Sequence, residues 1–441
     1  MRTLIHNAEI VNEGRRFPGA LVIDGERIAE VIEGKPKTLN FDLSTSNCID
    51  AEGALLLPGI IDTHVHFREP GLTHKADIAH ESRAALAGGV TSTMDMPNVN
   101  PPTTTPERWQ ERMALGQRES RVNYAYYMGV QTLGQTVPWH RSPLKLFMGS
   151  STGNMLVDKP ADLLRIFRMA AANPALPIVT HCEDTPRITE RMAEARRLWG
   201  DDPAVEHHPW IRDAEACLRS SSLAVTLARE TGARLHIAHI TTEQELTLLD
   251  NEQVTGEVCV GHLLFCDEDY ARLGTRIKCN PAIKSRRDRD ALRRALADGR
   301  LLTVATDHAP HLLSEKSGGC ARAASGMPMV QFSLVAMLGM VSEGVLTVER
   351  LVDAMCHQPA RLFGIRERGF LRPGYKADLV LVRPEEWTLR RGDILSKCGW
   401  SPLEGETLRW RVEQTFLNGR LAYHQGHTDD SVRGQALTFG A

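Results

Sequence analysis

The segment GIIDTHVHFREPG, residues 59–71, begins as an apolar strand and ends in two histidines, an arginine and a glutamate. His64 and His66 are two residues apart, so on an extended chain both side chains face the same way. Two imidazoles so placed can clamp one metal ion, although paired surface histidines on a strand would read just as well. Other short apolar runs end in similar chemistry. PIVTHCED carries His181, RLHIAHIT carries His239, and LLTVATDHAP carries Asp307. PLKLFM carries Lys145 between Leu144 and Leu146. Imidazole with carboxylate suits zinc and similar divalent ions. Taken singly, each of these residues reads equally well as a satisfied core group. Their shared placement at strand ends favours one site.

A lysine inside PLKLFM is costly to bury unless something uses it. It could snorkel to solvent from the strand end. A more specific reading follows from the neighbouring ligands. Two divalent cations close by would depress its pKa by repulsion. The neutral amine could then capture CO2 and become a carbamate, an anion able to span two metals.

These residues need a frame that brings strand ends together. Eight apolar runs alternate with helical patterns between residues 54 and 310: ALLLPGIIDTHVHF, VTSTMDMPN, VNYAYYMGV, LKLFM, PIVTHCED, RLHIAHIT, GEVCVGHLLF and LLTVATDHAP. Amphipathic stretches such as 161–172 and 219–233 lie between them. Eight βα units predict a (β/α)8 TIM-like barrel over residues 55–372, with the active site at the C-terminal ends of its strands. Residues 1–54 and 373–424 read instead as short strands with polar turns such as Asp24-Gly25. They predict one small β-sandwich domain built from both termini, followed by a C-terminal tail over residues 425–441.

The bulk composition fits this plan. The 441 residues exceed what one ordinary core needs, and 42% apolar with 24% charged residues describes a soluble globular chain. The net charge of −3 supplies no global field for nucleic acid or an anionic membrane. A small acidic substrate would have to be held by local cations. Nine cysteines without a CxxC pair suit a reducing cytosol. The N-terminal segment lacks the apolar run of a signal peptide, and the expected localisation is cytoplasmic.

Together, DTHVHFREPG, DMPN, LKLFM, THCE, AHIT, NPAIKS and ATDHAPH resemble the amidohydrolase superfamily and, within it, the dihydroorotases of the cyclic amidohydrolase group. They fall in the family's order from about residue 1 to residue 424. The resemblance implies a binuclear, zinc-type centre. In it His64, His66 and Asp307 hold one ion, His181 and His239 hold the second, and a CO2-derived carbamate on Lys145 spans both. It implies that Asp307 takes a proton from the attacking water and hands it to the departing amide nitrogen. It also implies that Arg68 clamps the carboxylate of dihydroorotate, with Asn98 and His311 beside it. Asn280, Ser325 and Gly326 would meet the ring amides. For Arg68 the competing reading is a structural ion pair with Glu69 or another acid. His262, in VCVGHLLF, reads as a packing or supporting residue.

Two departures touch the ring side of the pocket: NPAIK stands where NPP and a nearby arginine are common, and ARAAS precedes Gly326 without a bulky residue. Residues 312–326 read as either a mobile cover or a slack loop. Three functions stay open at this point. The first is an active dihydroorotase converting dihydroorotate and N-carbamoyl-L-aspartate in pyrimidine biosynthesis. The second is an allantoinase- or hydantoinase-type enzyme, which usually lacks the arginine of FREPG. The third is a non-catalytic relative supporting aspartate transcarbamoylase, which typically loses metal ligands. A homodimer and association with aspartate transcarbamoylase are the protein partnerships the resemblance admits.

Overall fold

The structure, a computed structural model, describes residues 2–34, 46–130, 142–150 and 155–440. Residues 35–45 of the expected N-terminal β segment lie outside the described residues.

Eight parallel strand positions form the barrel. Ile60–Val65, Val90–Asp95 and Asn123–Tyr126 pair in one sheet. Met128–Gly129 continues the third strand into a second sheet with Leu144–Phe147, Ile178–His181, Leu235–Ile237, Val254–Cys259 and Thr303–Ala305. The ring closes where Val65 bridges His308, and His66 N donates to the His308 carbonyl at 2.8 Å. The barrel strands are buried along their whole length, as parallel strands covered on both faces must be. The register places Phe147 beside His181 and Cys259 beside Ala305. Lys145, His181, His239 and Asp307 therefore arrive at one end of the barrel.

The first predicted strand divides in two. Leu55–Pro58 belongs to the terminal sheet, and Ile60–Val65 belongs to the barrel. Gly59 makes the crossing possible because a Cβ there would fall 2.1 Å from Thr91 Oγ1. The seventh predicted strand is also shorter than its apolar run: it ends at Cys259, and Val260–Leu264 turns into helix. The stretch expected at 161–172 is the helix Pro160–Ala171. The one expected at 219–233 lies in Ala214–Thr231, which starts earlier because Asp213 accepts from Ala216 N at 3.0 Å as its N-cap.

Both termini build one nine-stranded sheet, and Leu55–Pro58 joins its halves. This segment pairs with Glu9 and Ile10 on one side and with Leu379–Val382 on the other. Alternation then sorts the side chains. Leu56, Leu379 and Leu381 enter the terminal domain's own core with Ile5, Leu21 and Phe416. Leu55, Leu57, Val380 and Val382 join the barrel core. At the hairpin Asn418-Gly419, φ values of 49° and 80° give the paired left-handed geometry for which this dipeptide is suited. The C-terminal stretch packs back on the barrel, with Ala436 bridging Tyr124 and Phe439 bridging Ile365.

One buried ion pair supports the loop that carries His66 and Arg68. Arg112 Nη2 donates to Asp95 Oδ2 at 2.5 Å, and Phe67 N donates to Asp95 Oδ1 at 3.2 Å. Arg112 also lies 4.3 Å from the centroid of the Tyr126 ring. Removing one partner of a buried pair leaves the other charge uncompensated, so Arg112→Met should cost roughly 3–5 kcal/mol. Arg15→Met, which breaks an exposed pair with Glu33, should cost less than about 1 kcal/mol. Urea unfolding midpoints compare the two. Equal losses would remove the special role of the buried pair.

Candidate active site

Four imidazoles gather at the C-terminal end of the barrel. Ring centroids are 5.5 Å apart for His64 and His66, 5.4 Å for His64 and His239, and 4.8 Å for His181 and His239. Asp307 Oδ1 lies 3.0 Å from His66 Nε2 and 3.5 Å from His64 Nε2. On the other side, His181 Nδ1 and His239 Nε2 are 3.0 Å apart. Lys145 is wholly buried, and among the described residues its Nζ has no hydrogen-bond partner.

His64 Nδ1 lies 2.7 Å from Glu257 Oε1. Burial raises the Glu257 pKa, but the attraction of His64 and the hydrogen bond from it outweigh burial and leave it at about 2. A carboxylate can only accept, so His64 carries its proton on Nδ1 and turns Nε2 toward Asp307. Asn98 Oδ1, 2.8 Å from His66 Nδ1, does the same for His66. Burial lowers the His66 pKa to about 4, although Asp307 opposes the shift. A neutral imidazole thus presents a lone pair to a carboxylate oxygen at 3.0 Å. That arrangement calls for a cation between them.

The second pair follows the same logic. Burial lowers the pKa of both His181 and His239, which keeps the two rings neutral. His181 Nε2 lies 3.1 Å from Glu183 Oε2, at an angle that makes no hydrogen bond. Burial raises the Glu183 pKa, but Arg212, 2.9 Å away, outweighs it and holds Glu183 at about 2. Burial also lowers the Lys145 pKa, favouring the neutral amine. The donor set of neutral imidazoles, a carboxylate and a buried amine fits divalent metal binding. His64, His66 and Asp307 are close enough to share one ion.

The backbone is held in unusual conformations here. Arg68, His239 and Asp307 have φ values of +66°, +41° and +46°. Residues with side chains adopt this region at a cost of order 1–3 kcal/mol each, and three of them here share one rim.

A narrow cleft opens beside Asp307 and His66. Arg68, Asn98, Asn280, Ser325 and Gly326 line it together with Ala309. Arg68 is buried, and its Nε donates to the Pro310 carbonyl at 3.2 Å. Among the described residues no carboxylate lies within ion-pair distance of its guanidinium. Glu69 instead accepts from Ile78 N at 3.0 Å. His311 stands behind Arg68, with Nε2 3.1 Å from both Arg68 Nη2 and the Ser325 carbonyl. Burial, then Arg68 and Lys75, push the His311 pKa far down and keep it neutral. Asn280 Oδ1 is buried, with no hydrogen-bond partner among the described residues. His262 Nε2 contacts the Pro281 carbonyl at 3.1 Å and supports the Asn280 loop from behind. Residues 312–326 are tied down: Asp202 accepts from the backbone of Gly319 and Ala321 at 2.8 and 2.9 Å.

Glu257 and Glu183 escaped the sequence reading. A charged residue in GEVCVG reads as a surface position until the barrel interior is known. The two-residue step from His181 to Glu183 in THCE was the available signal.

Residues 55–140 and 156–422 match the amidohydrolase family. A dihydroorotase of Halobacterium salinarum is 36% identical over 87% of this chain and 88% of its own length. A dihydroorotase of Lactobacillus gasseri is 31% identical over 97% of this chain and all of its own. This chain belongs to the amidohydrolase family, in its dihydroorotase branch. Among solved structures, L-hydantoinase (dihydropyrimidinase) from Arthrobacter aurescens matches with a TM-score of 0.90 at 24% identity over 99% of each chain. Dihydropyrimidinase from Brevibacillus agri matches with 0.90 at 21% over the full length of both. These likenesses carry the fold: a barrel with a sheet domain from both termini. Among the described residues no helix is long and apolar enough to cross a membrane.

In a cyclic amidohydrolase of this build, Glu257 should matter for metal binding although it touches no ion. Glu257→Gln keeps the shape but removes the charge that fixes His64. Metal affinity should fall roughly 10–100-fold, measured by titration against a competing chelator, with secondary structure unchanged. Unaltered affinity would show that His64 needs no such support.

Proposed function

We propose that this enzyme is a dihydroorotase, hydrolysing the cyclic amide of (S)-dihydroorotate to N-carbamoyl-L-aspartate and closing the ring in the reverse, biosynthetic direction of pyrimidine synthesis. The observation that carries the reading is Arg68: a buried guanidinium, without a carboxylate in ion-pair distance among the described residues, on the wall of the cavity that Asp307 also lines. A buried cation of this kind is costly until an anion joins it. Dihydroorotate brings a carboxylate beside its ring, and a guanidinium fork matches that group. The dihydroorotase relatives that match along nearly the whole chain support the same choice.

His64, His66 and Asp307 would hold one zinc ion, and His181 and His239 the other. Lys145, as a carbamate, would complete both coordination sets. When bound, the ions supply a water of lowered pKa and polarise the attacked carbonyl. The chain's own groups do the rest. Arg68, backed by His311, binds the substrate carboxylate, and Asn98 combines this role with its hold on His66. Asn280 Oδ1 accepts from a ring N–H, and the Ser325–Gly326 backbone meets the other ring amide. Asp307 takes the proton from the attacking water. As the C–N bond breaks, it returns that proton to the departing nitrogen. Ring closure runs these steps backwards. The nine cysteines, all free, suit a reducing cytosol.

A panel of dihydroorotate, dihydrouracil, hydantoin and allantoin tests the substrate, with Arg68→Met beside the unmodified enzyme. Losing the charged partner of a buried carboxylate costs on the order of 2–5 kcal/mol. The variant should therefore lose most of its kcat/KM for dihydroorotate while retaining its metal. Normal turnover by Arg68→Met, or a preference of the unmodified enzyme for an uncharged ring, would contradict the proposal.

A further inference from the structure

Asn280 and the Ser325–Gly326 backbone reach the cavity from two different loops. Two buried lysines stitch those loops together. Lys316 Nζ donates to the carbonyls of Lys278, Ala324 and Gly326 at 2.9, 2.7 and 2.8 Å. Lys278 makes the return stitch: its Nζ donates to the Ala323 carbonyl and, at 3.1 Å, to Ser325 Oγ. Gly326 N adds a bond to the Lys278 carbonyl at 2.8 Å.

The arrangement is expensive for a mere loop anchor. Both lysines are buried, and among the described residues neither has a carboxylate in ion-pair distance. Burial, then repulsion from Lys278, draws the Lys316 pKa down to about 7. Three carbonyl acceptors match the three N–H donors of an ammonium group, which the neutral amine could not supply. Gly326 has little room to move, since a Cβ on it would meet the Ala309 carbonyl at 2.6 Å. The direction of the 325–326 peptide therefore depends on where its neighbouring carbonyls are pinned.

Resting on the dihydroorotase reading, we propose that Lys316, paired with Lys278, is a positioning residue for ring recognition. It locks the Asn280 loop to the Ser325–Gly326 loop so that both present their polar groups to the ring amides at once. None of the proposed metal ligands accepts a hydrogen bond from Lys316. Its loss should weaken substrate binding and leave the metal centre intact.

The test uses Lys316→Met, Lys316→Arg and Lys278→Met in the full-length, metal-loaded enzyme. For Lys316→Met, losing donors to three buried carbonyls predicts a rise in KM for dihydroorotate of about tenfold or more. Its kcat should stay within about threefold and its metal content should be unchanged. Lys316→Arg should recover part of the KM. Lys278→Met, which leaves Lys316 in place, should shift KM in the same direction by less, and it carries the test if Lys316→Met does not fold. Amide hydrogen exchange, measured without substrate, should accelerate at residues 323–326 in both Met variants. Unchanged exchange with unchanged KM would overturn the proposal. So would a loss confined to kcat, or no recovery by arginine. Failure of the unmodified enzyme to turn over dihydroorotate would count instead against the functional reading, because the exchange measurement does not depend on the substrate.

Discussion

The hydrogen bond between His64 and Glu257 sets the chemistry of the whole site. A carboxylate buried inside a barrel must be compensated, and Glu257 finds its compensation in an imidazole N–H. That bond commits the opposite nitrogen of His64 to the face where Asp307 lies. Asn98 imposes the same choice on His66. Both Nε2 atoms then face Asp307 Oδ1, at 3.5 Å from His64 and 3.0 Å from His66, a cluster able to share one ion. On the other half of the site Glu183, held by Arg212, places a second buried carboxylate 3.1 Å from His181 Nε2.

Metal chemistry and substrate recognition are divided between kinds of structure. The proposed ligands sit on strands or within two residues of their ends, where register fixes position. The groups proposed to face the ring sit on loops, which are fixed less directly: by Arg112 and Asp95 beneath the segment of His66 and Arg68, and by Lys316 and Lys278 across the far wall. Arg68 stands between the two classes. Its left-handed backbone and burial hold a cation for which the chain supplies no close carboxylate among its described residues. On the proposed reading, that missing charge would make the cavity selective for an anionic ring over a neutral one of similar shape.

Much of this was legible because it rests on local pattern. Eight apolar runs gave the barrel strands, since buried parallel strands read as short continuous apolar segments. The residues ending those runs pointed to the rim. What stayed hidden depends on distant contacts. The break at Gly59 follows from Thr91, thirty-odd positions away in sequence, and the end of the seventh strand at Cys259 carries no proline or turn pair to mark it in VCVGHLLF. Glu257 looks like any charged strand residue until its partner across the barrel is known. Residues 312–326, with adjacent glycines and a lysine, resemble a slack surface loop. Only the fold shows that Lys316 is buried and that Asp202 anchors the glycines.

On the proposed reading, the buried imidazoles and the amine of Lys145, which has no hydrogen-bond partner among the described residues, would hold two ions with a carbamate on Lys145. The most direct measurement is anomalous diffraction from crystals of the enzyme reconstituted with zinc in the presence of bicarbonate. The account predicts two metal peaks per chain, one beside His64, His66 and Asp307 and one beside His181 and His239, with carbamate density on Lys145 reaching both. A single peak, or an unmodified Lys145 amine in fully metallated and active enzyme, would contradict it.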